Sequence, residues 1–333
     1  MDIVGLRQFA RNSVRFRDVV TILAKYGLAD WLGDHRFDWL QERLRSADGR
    51  RLDELGTNQR IRYALTELGA TFIKLGQVLS TRPDLVGTDL AEELSQLQAN
   101  TPADPPEYVA HLIESEFDEP PSELFARFNP EPFASASIGQ VHAATLSDGT
   151  KVVVKVQHQA IEDRVQNDLE ILHMLSSLAE EVSPATRQYQ PKKTAEEFSK
   201  TLLKEMDFSR EASNLRKFQQ NFADDDQICI PAVHEAHSSR RVLTMDFLKG
   251  TSLGDEAKLA ASGHDLTDLA RRGAEMFLDM IFRDGFCHAD PHPGNLLVLD
   301  DGSIGLLDCG MVARINEELR EQVEDMAIAA VDR

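Results

Sequence analysis

The chain has 333 residues, 42% of them hydrophobic, enough for one large or two ordinary domains with cores of their own. Its formal net charge is −20, from 56 Asp and Glu against 36 Lys and Arg, and no basic patch interrupts the excess. Such a surface repels nucleic acid and anionic lipid and keeps the chain soluble. The three cysteines, Cys229, Cys287 and Cys309, form no CxxC pair. A disulfide framework or zinc site is therefore not expected, and a reducing cytoplasm fits best. Met1 to Ala10 lacks the apolar core of a signal peptide, and no run reaches the about 18 apolar residues of a membrane span.

The first hundred residues read as helices. Apolar positions three and four apart recur in Ile61 to Leu68 and in Leu90 to Leu97, with Lys74-Leu75-Gly76-Gln77 between them. Thr101 to Pro106 is a proline-rich linker or turn, and a second proline cluster, from Pro120 to Pro132, precedes a change of character at Phe133. Gln140 to Leu146 and Lys151 to Val156 read as strands around the turn Ser147-Asp148-Gly149-Thr150. Helical patterns follow over Glu162 to Glu181 and Ala195 to Asn221, then strand-like Ile228 to Pro231 and Arg241 to Phe247. Thr267 to Arg283 is an amphipathic helix. A Pro/His/Gly loop, a hairpin over Leu296 to Leu307 and a last helix, Asn316 to Val331, complete the chain.

The loop His288-Ala289-Asp290-Pro291-His292-Pro293-Gly294-Asn295 cannot be helical, because two of its residues are proline. An Asp with an Asn five positions on is the arrangement of a kinase catalytic loop, where the Asp receives or orients the acceptor proton and the Asn holds Mg²⁺. Asp308-Cys309-Gly310 follows a short hairpin, where kinases place Asp-Phe-Gly. Asp308 and Asn295 offer the oxygen ligands that a hard cation prefers. A surface loop with a capped turn is the alternative, and a transition-metal set of His288, Asp290 and His292 is a poorer one, since alternation along an extended loop converges badly.

Upstream, Ala134-Ser135-Ala136-Ser137-Ile138-Gly139-Gln140-Val141 has the spacing G-x-G-x-x-G-x-V with alanine at the first two glycine positions. Lys155 lies fourteen residues past Val141, within a valine-rich strand that puts Lys151, Val153 and Lys155 on one face. A carboxylate must steer that lysine toward phosphate. Glu205, Asp207 and Glu211 are all candidates on a helical stretch, and the alternative is a solvated charged face. Val242 to Gly250 has the look of the strand and hinge that receive adenine.

On these residues the chain resembles the UbiB-type (aarF-domain) atypical kinase family, over roughly Asn58 to Arg314. The resemblance rests most on Lys74-Leu75-Gly76-Gln77, the alanine-rich loop, Glu205-Met206-Asp207 and Asp290 to Asn295. It implies an α+β, protein-kinase-like bilobal fold: a helical N-terminal extension over residues 1–130, an N-lobe with a helical insert over 131–250, and a C-lobe over 251–333. So little chain follows Gly310 that this lobe is expected to be incomplete, with no activation segment for a peptide to dock on.

The resemblance also implies ATP or ADP with Mg²⁺ as cofactors. Asp290 and Lys155 would be catalytic, and Lys155 would pair with Glu211. Ala134, Ser135, Ala136, Ser137, Ile138, Gly139, Val141, Val153, Met245, Asp246, Phe247 and Leu248 would surround the nucleotide, with Met245 as gatekeeper beside adenine. Asn295 and Asp308 would hold the metal. Lys74 and Gln77 would gate the site together with Glu205 and Asp207, Lys74 lying near Glu205. The family's association with quinone and isoprenoid-lipid metabolism implies a lipid or quinone-precursor ligand, and a cytoplasmic protein peripheral to the membrane face. Two alternatives are a nucleotide-binding regulator with little turnover and a Ser/Thr protein kinase.

Overall fold

Strand alternation decides where the main sheet puts its lysine. The computed structural model describes residues 3–28, 54–97, 101–182, 187, 190–290 and 292–331. Within Lys151–Gln157 (β4), Val152, Val154 and Val156 are almost wholly buried. They pack with Ala144 and Leu146, with Val242, and with Val109, Leu112 and Ile113 of the helix Pro106–Phe117. Because side chains alternate across a strand, Val153 and Lys155 emerge on the other face. Strand order is Arg127–Phe128 (β1), Gly139–Thr145 (β3), β4, Val242–Asp246 (β6), with β4 and β6 antiparallel and Val153 opposite Met245. Ala134–Ser135 (β2) precedes β3.

Contacts divide the chain into two units that are each discontinuous in sequence. The first holds residues 1–104, 134–140 and 157–203. Its helices include Ile3–Lys25 (α1), Thr57–Leu68 (α2), Ala70–Ser80 (α3), Thr88–Leu94 (α4) and Ile161–Val182 (α5). One apolar cluster joins Val19 of α1 to Leu68, Phe72 and Ile171, and another joins Ile73, Leu94 and Leu97. Arg15 fastens α1 at both ends of its guanidinium, donating to Asp168 at 2.7 Å and to the Leu68 carbonyl at 2.6 Å.

The second unit holds residues 105–133, 141–156 and 204–333. Besides the sheet above it contains Ile228–Cys229 (β5), Gly250–Ser252 (β7), Leu296–Leu299 (β9) and Ile304–Leu306 (β10) in the order β5-β10-β9-β7. The pair β9–β10 is the hairpin expected around Asp300-Asp301-Gly302, with Gly302 at φ 85° supplying the left-handed residue. A third, two-stranded ladder pairs Phe286–His288 (β8) with Val312–Arg314 (β11). The helix expected over Thr267 to Arg283 is α-helical to Leu278 and widens to a π-turn over Asp279–Arg283.

The helical pattern expected from Ala195 to Asn221 is interrupted. Pro191–Glu205 (α6) ends there, and Phe208–Asn221 (α7) starts anew behind Asp207, whose Oδ1 accepts the Ser209 amide at 3.1 Å. An Asp that satisfies an orphan first-turn N–H starts a helix rather than continuing one. Among the described residues no helix is long and apolar enough to cross a membrane.

Candidate functional site

The stripe Phe208, Glu211, Ala212, Leu215 and Phe218 on α7 is buried, and Glu211 is its single charge, 3% exposed. That burial is tolerated because Lys155 Nζ donates to Glu211 Oε2 at 2.8 Å. Three carboxylates were open as partners of Lys155, and the structure selects Glu211. Asp308 Oδ2 lies 3.7 Å from the same ammonium, which also sits 5.0 Å from the centroid of the Phe208 ring. Burial and the carboxylates of Asp308 and Glu205 push the Glu211 carboxyl up to about 7, against the downward pull of Lys155. Burial alone would lower the Lys155 ammonium, but Asp308, Glu211 and Glu205 together raise it.

The Asp308 carboxylate is half exposed, and its Oδ1 accepts the Gly310 amide at 2.9 Å. Its own carbonyl accepts from Nε2 of the buried His288, while His288 Nδ1 accepts the Asp290 amide at 3.2 Å. One neutral tautomer thus ties the Asp290 loop to Asp308-Cys309-Gly310. The Cys309 carbonyl is held by Asn214 at 2.8 Å, and burial keeps the Cys309 thiol protonated, well above its ordinary range.

Asn295 turns its amide nitrogen to Asp290, donating to the carbonyl at 3.1 Å and to Oδ2 at 3.2 Å. Its backbone carbonyl accepts the Leu307 amide at 2.9 Å, which brings Asn295 alongside the residue preceding Asp308. Pro291 lies outside the described residues. The transition-metal alternative finds no support here. Both His288 ring nitrogens are engaged, and His292 Nδ1 accepts the Gly294 amide. Among the described residues no group of three His, Cys, Asp or Glu side chains could hold a metal.

Met245 faces the same side of the sheet as Val153 and Lys155, since cross-strand partners share a face. Both apolar side chains are 8% exposed. Where β6 ends, the Asp246 amide donates to the Ala232 carbonyl at 2.9 Å and the Phe247 amide to the Lys151 carbonyl at 3.0 Å. The Asp246 carboxylate meets His234 Nε2 at 2.8 Å. Phe247 is exposed and makes an edge contact with Phe133, and Leu248 is half-buried.

The alanine-rich loop belongs to the first unit, apart from Val141, which is half-buried on β3 in the second. Its Ala136 amide donates to the Gly139 carbonyl at 2.9 Å. Lys74 and Gln77 lie on α3 in the first unit, and Glu205 and Asp207 lie in the second. Gln77 Nε2 donates to the Leu97 carbonyl at 3.1 Å. A Cβ at Gly76 would run into Leu97 Cδ1 and reach within 2.9 Å of Leu65 Cδ1, so the glycine lets α3 pack closely. Sequence reasoning missed Asp104, read as linker, and His158, which no motif claimed. A polar residue amid prolines and a histidine closing a valine-rich strand were the available signals.

The donors present suit a magnesium nucleotide. Asn295 keeps its amide oxygen clear of Asp290, Asp308 presents a half-exposed carboxylate, and both are hard oxygen ligands. Glu211 Oε1 is buried and accepts no hydrogen bond among the described residues, so the carboxylate group around Lys155 still has acceptor capacity.

A strand lysine held by a helix glutamate, followed along the chain by these two loops, is the order of a kinase-like α+β fold. Residues 96–333 match the family described as the ABC1 atypical kinase-like domain. The chain belongs to this UbiB-type atypical kinase family. It is 41% identical over 245 residues to "Probable protein kinase UbiB" of Marinobacter nauticus, covering 74% of this chain and 45% of that protein. It is 38% identical over 288 residues to the protein of the same name from Pseudomonas paraeruginosa, covering 85% and 54%. The chain thus spans about half the length of the curated relatives it matches. A solved structure, the complex of Rv3197 with erythromycin from Mycobacterium tuberculosis, shares 30% identity and a TM-score of 0.55, over 75% of this chain and 63% of that one.

Proposed function

We propose that this chain binds Mg-nucleotide and acts as an ATP-dependent phosphotransferase or ATPase in support of isoprenoid-quinone or other lipid metabolism. The observation that carries the reading is Lys155, mostly buried yet held by Glu211 at 2.8 Å with Asp308 at 3.7 Å. A buried cation flanked by carboxylates on separate elements is ready to receive phosphate once metal neutralises part of that negative charge. Asn295 and Asp308 would hold Mg²⁺, which when bound supplies charge neutralisation at the phosphates. Lys155 orients the phosphates, and Glu211 orients Lys155. Asp290 receives or orients the acceptor proton at its carboxylate, which Asn295 steadies from its amide nitrogen. The Asp246 and Phe247 amides are engaged within the protein, and adenine would lie beside Met245, Asp246, Phe247 and Leu248 at the end of β6.

The remaining loop residues, the gating role of Lys74, Gln77, Glu205 and Asp207, and attachment to the cytoplasmic membrane face belong to the same reading. The relatives are named as probable protein kinases, which favours a second reading, a protein kinase. Thermal unfolding with ADP and ATP, each with and without Mg²⁺, tests nucleotide binding, with Asp308→Asn as the control. A metal-dependent stabilisation, lost in the variant, is expected; no shift in the parent protein would overturn the reading. Transfer of phosphate to a protein acceptor, lost in Asp290→Ala, would select the protein-kinase reading.

A further inference from the structure

One buried side chain in the first unit meets an acceptor at each of its two ring nitrogens. His158, 4% exposed, follows β4 directly. Its Nδ1 lies 2.6 Å from Asp104 Oδ2, and its Nε2 lies 3.0 Å from the Ala136 carbonyl oxygen. A carbonyl oxygen has no proton to offer, and neither has an ionised carboxylate. Only donation from both ring nitrogens would satisfy both oxygens, and an imidazolium alone can supply it. A neutral ring would aim a lone pair at one of the two oxygens. Ser135 Oγ, at 3.4 Å from Nε2, is too distant to replace the Ala136 contact.

Asp104 is itself fixed. Its amide donates to Oε1 of the buried Gln140 at 2.6 Å, and its Oδ2 also accepts the Gln159 amide at 3.1 Å. The His158 amide donates to the Ile138 carbonyl at 2.9 Å. The alanine-rich loop is thereby tied to the chain after β4 through backbone and side chain of the same histidine. A peptide unit is planar and trans, so drawing the Ala136 carbonyl toward the imidazolium aims the Ser137 amide the opposite way. Amides of this loop are the groups expected to meet phosphate.

We propose that His158 and Asp104 form a charge-assisted clamp that sets the peptide orientation of the Ala134–Gly139 loop, making His158 a positioning residue for the nucleotide phosphates. The role of the clamp rests on the nucleotide reading above; its protonation state does not. With alanine at two glycine positions, the loop has fewer conformations in which to find its amide geometry, and the clamp selects one of them.

The test uses ¹⁵N-labelled full chain without nucleotide, with the His158 ring signals identified by their absence from His158→Gln. Both ring nitrogens are expected to be protonated in the parent protein, and Asp104→Asn is expected to cost the ring one of its protons. Mg-ADP affinity, measured by calorimetry, is expected to fall about tenfold in each variant, the equivalent of one charge-assisted hydrogen bond. Asp104→Asn keeps nearly the same shape and serves if His158→Gln misfolds. A singly protonated ring in the parent overturns the clamp, as does unchanged Mg-ADP affinity in both variants while the parent binds. A parent protein that binds no Mg-ADP instead overturns the nucleotide reading, a distinguishable failure.

Discussion

Lys155 on β4 and Glu211 on α7, 56 residues apart in sequence, meet at 2.8 Å in a largely buried ion pair. Removing one partner of such a pair leaves the other charge stranded, which costs about 3–5 kcal/mol where the pair is fully desolvated. Lys155→Met should therefore lower the melting temperature and abolish stabilisation by Mg-nucleotide. Glu211→Gln, which keeps a hydrogen-bond acceptor for the ammonium, should retain a weakened nucleotide shift. Thermal unfolding of both variants with and without Mg-ADP checks this; an undiminished shift in Lys155→Met would remove the lysine from the site.

The same pair predicts a dependence on pH. Burial first, then repulsion by Asp308 and Glu205, raises the Glu211 carboxyl to about 7 in the folded protein, above the about 4.3 of an unfolded chain. A folded value above the unfolded one means that the folded state binds the proton more tightly. The contribution is fully present below about pH 4.3 and is lost as pH rises through about 7. Melting temperature measured between those limits should carry a downward component with rising pH that disappears in Glu211→Gln. Identical slopes for parent and variant would show that Glu211 does not titrate there.

Asp308→Asn should remove the metal-dependent part of nucleotide stabilisation while leaving the fold intact. The substituted amide oxygen can still accept the Gly310 amide, as Asp308 does at 2.9 Å, but it brings no charge to a divalent cation. Asn295→Ala should have the same sign and, in addition, free the Asp290 carboxylate that Asn295 now steadies. Titrating Mg²⁺ at fixed ADP distinguishes the two residues from bystanders, since neither variant should respond to metal as the parent does.

Asp207 separates a structural role from a gating one. As the cap of α7 it should tolerate Asn and lose about 1 kcal/mol on replacement by Ala. Nucleotide turnover unchanged in Asp207→Asn would assign the residue to helix capping alone. Turnover lost in that variant, at unchanged melting temperature, would assign it to the gate.

Gly76→Ala should destabilise the first unit modestly, by about 1 kcal/mol, because crowding of the Leu97 and Leu65 side-chain ends by the added methyl outweighs the better helix propensity of alanine. A melting temperature equal to the parent's would mean that those leucines move aside without cost.

Local chemistry made much of this protein readable from its residues alone. Alternation in Lys151-Val152-Val153-Val154-Lys155-Val156 determined which face of the strand is core and which carries the lysine, because a strand has only two faces. The prolines and the Asp-to-Asn spacing defined the His288–Asn295 loop, and turn chemistry at Asp300-Asp301-Gly302 defined the hairpin after it. Selection among equivalent partners was left to the tertiary structure. Glu205, Asp207 and Glu211 are alike in composition and closely spaced, yet one is the buried mate of Lys155 and another begins a helix. The break at Met206-Asp207 stayed hidden because buried apolar positions recur at helical spacing on both sides of it, although Asp itself favours a cap over a helix interior. Asp104 and His158 gained their meaning only from contacts 54 residues apart. Periodicity says which way a side chain points within its own element; only the packing of distant elements decides what it meets there.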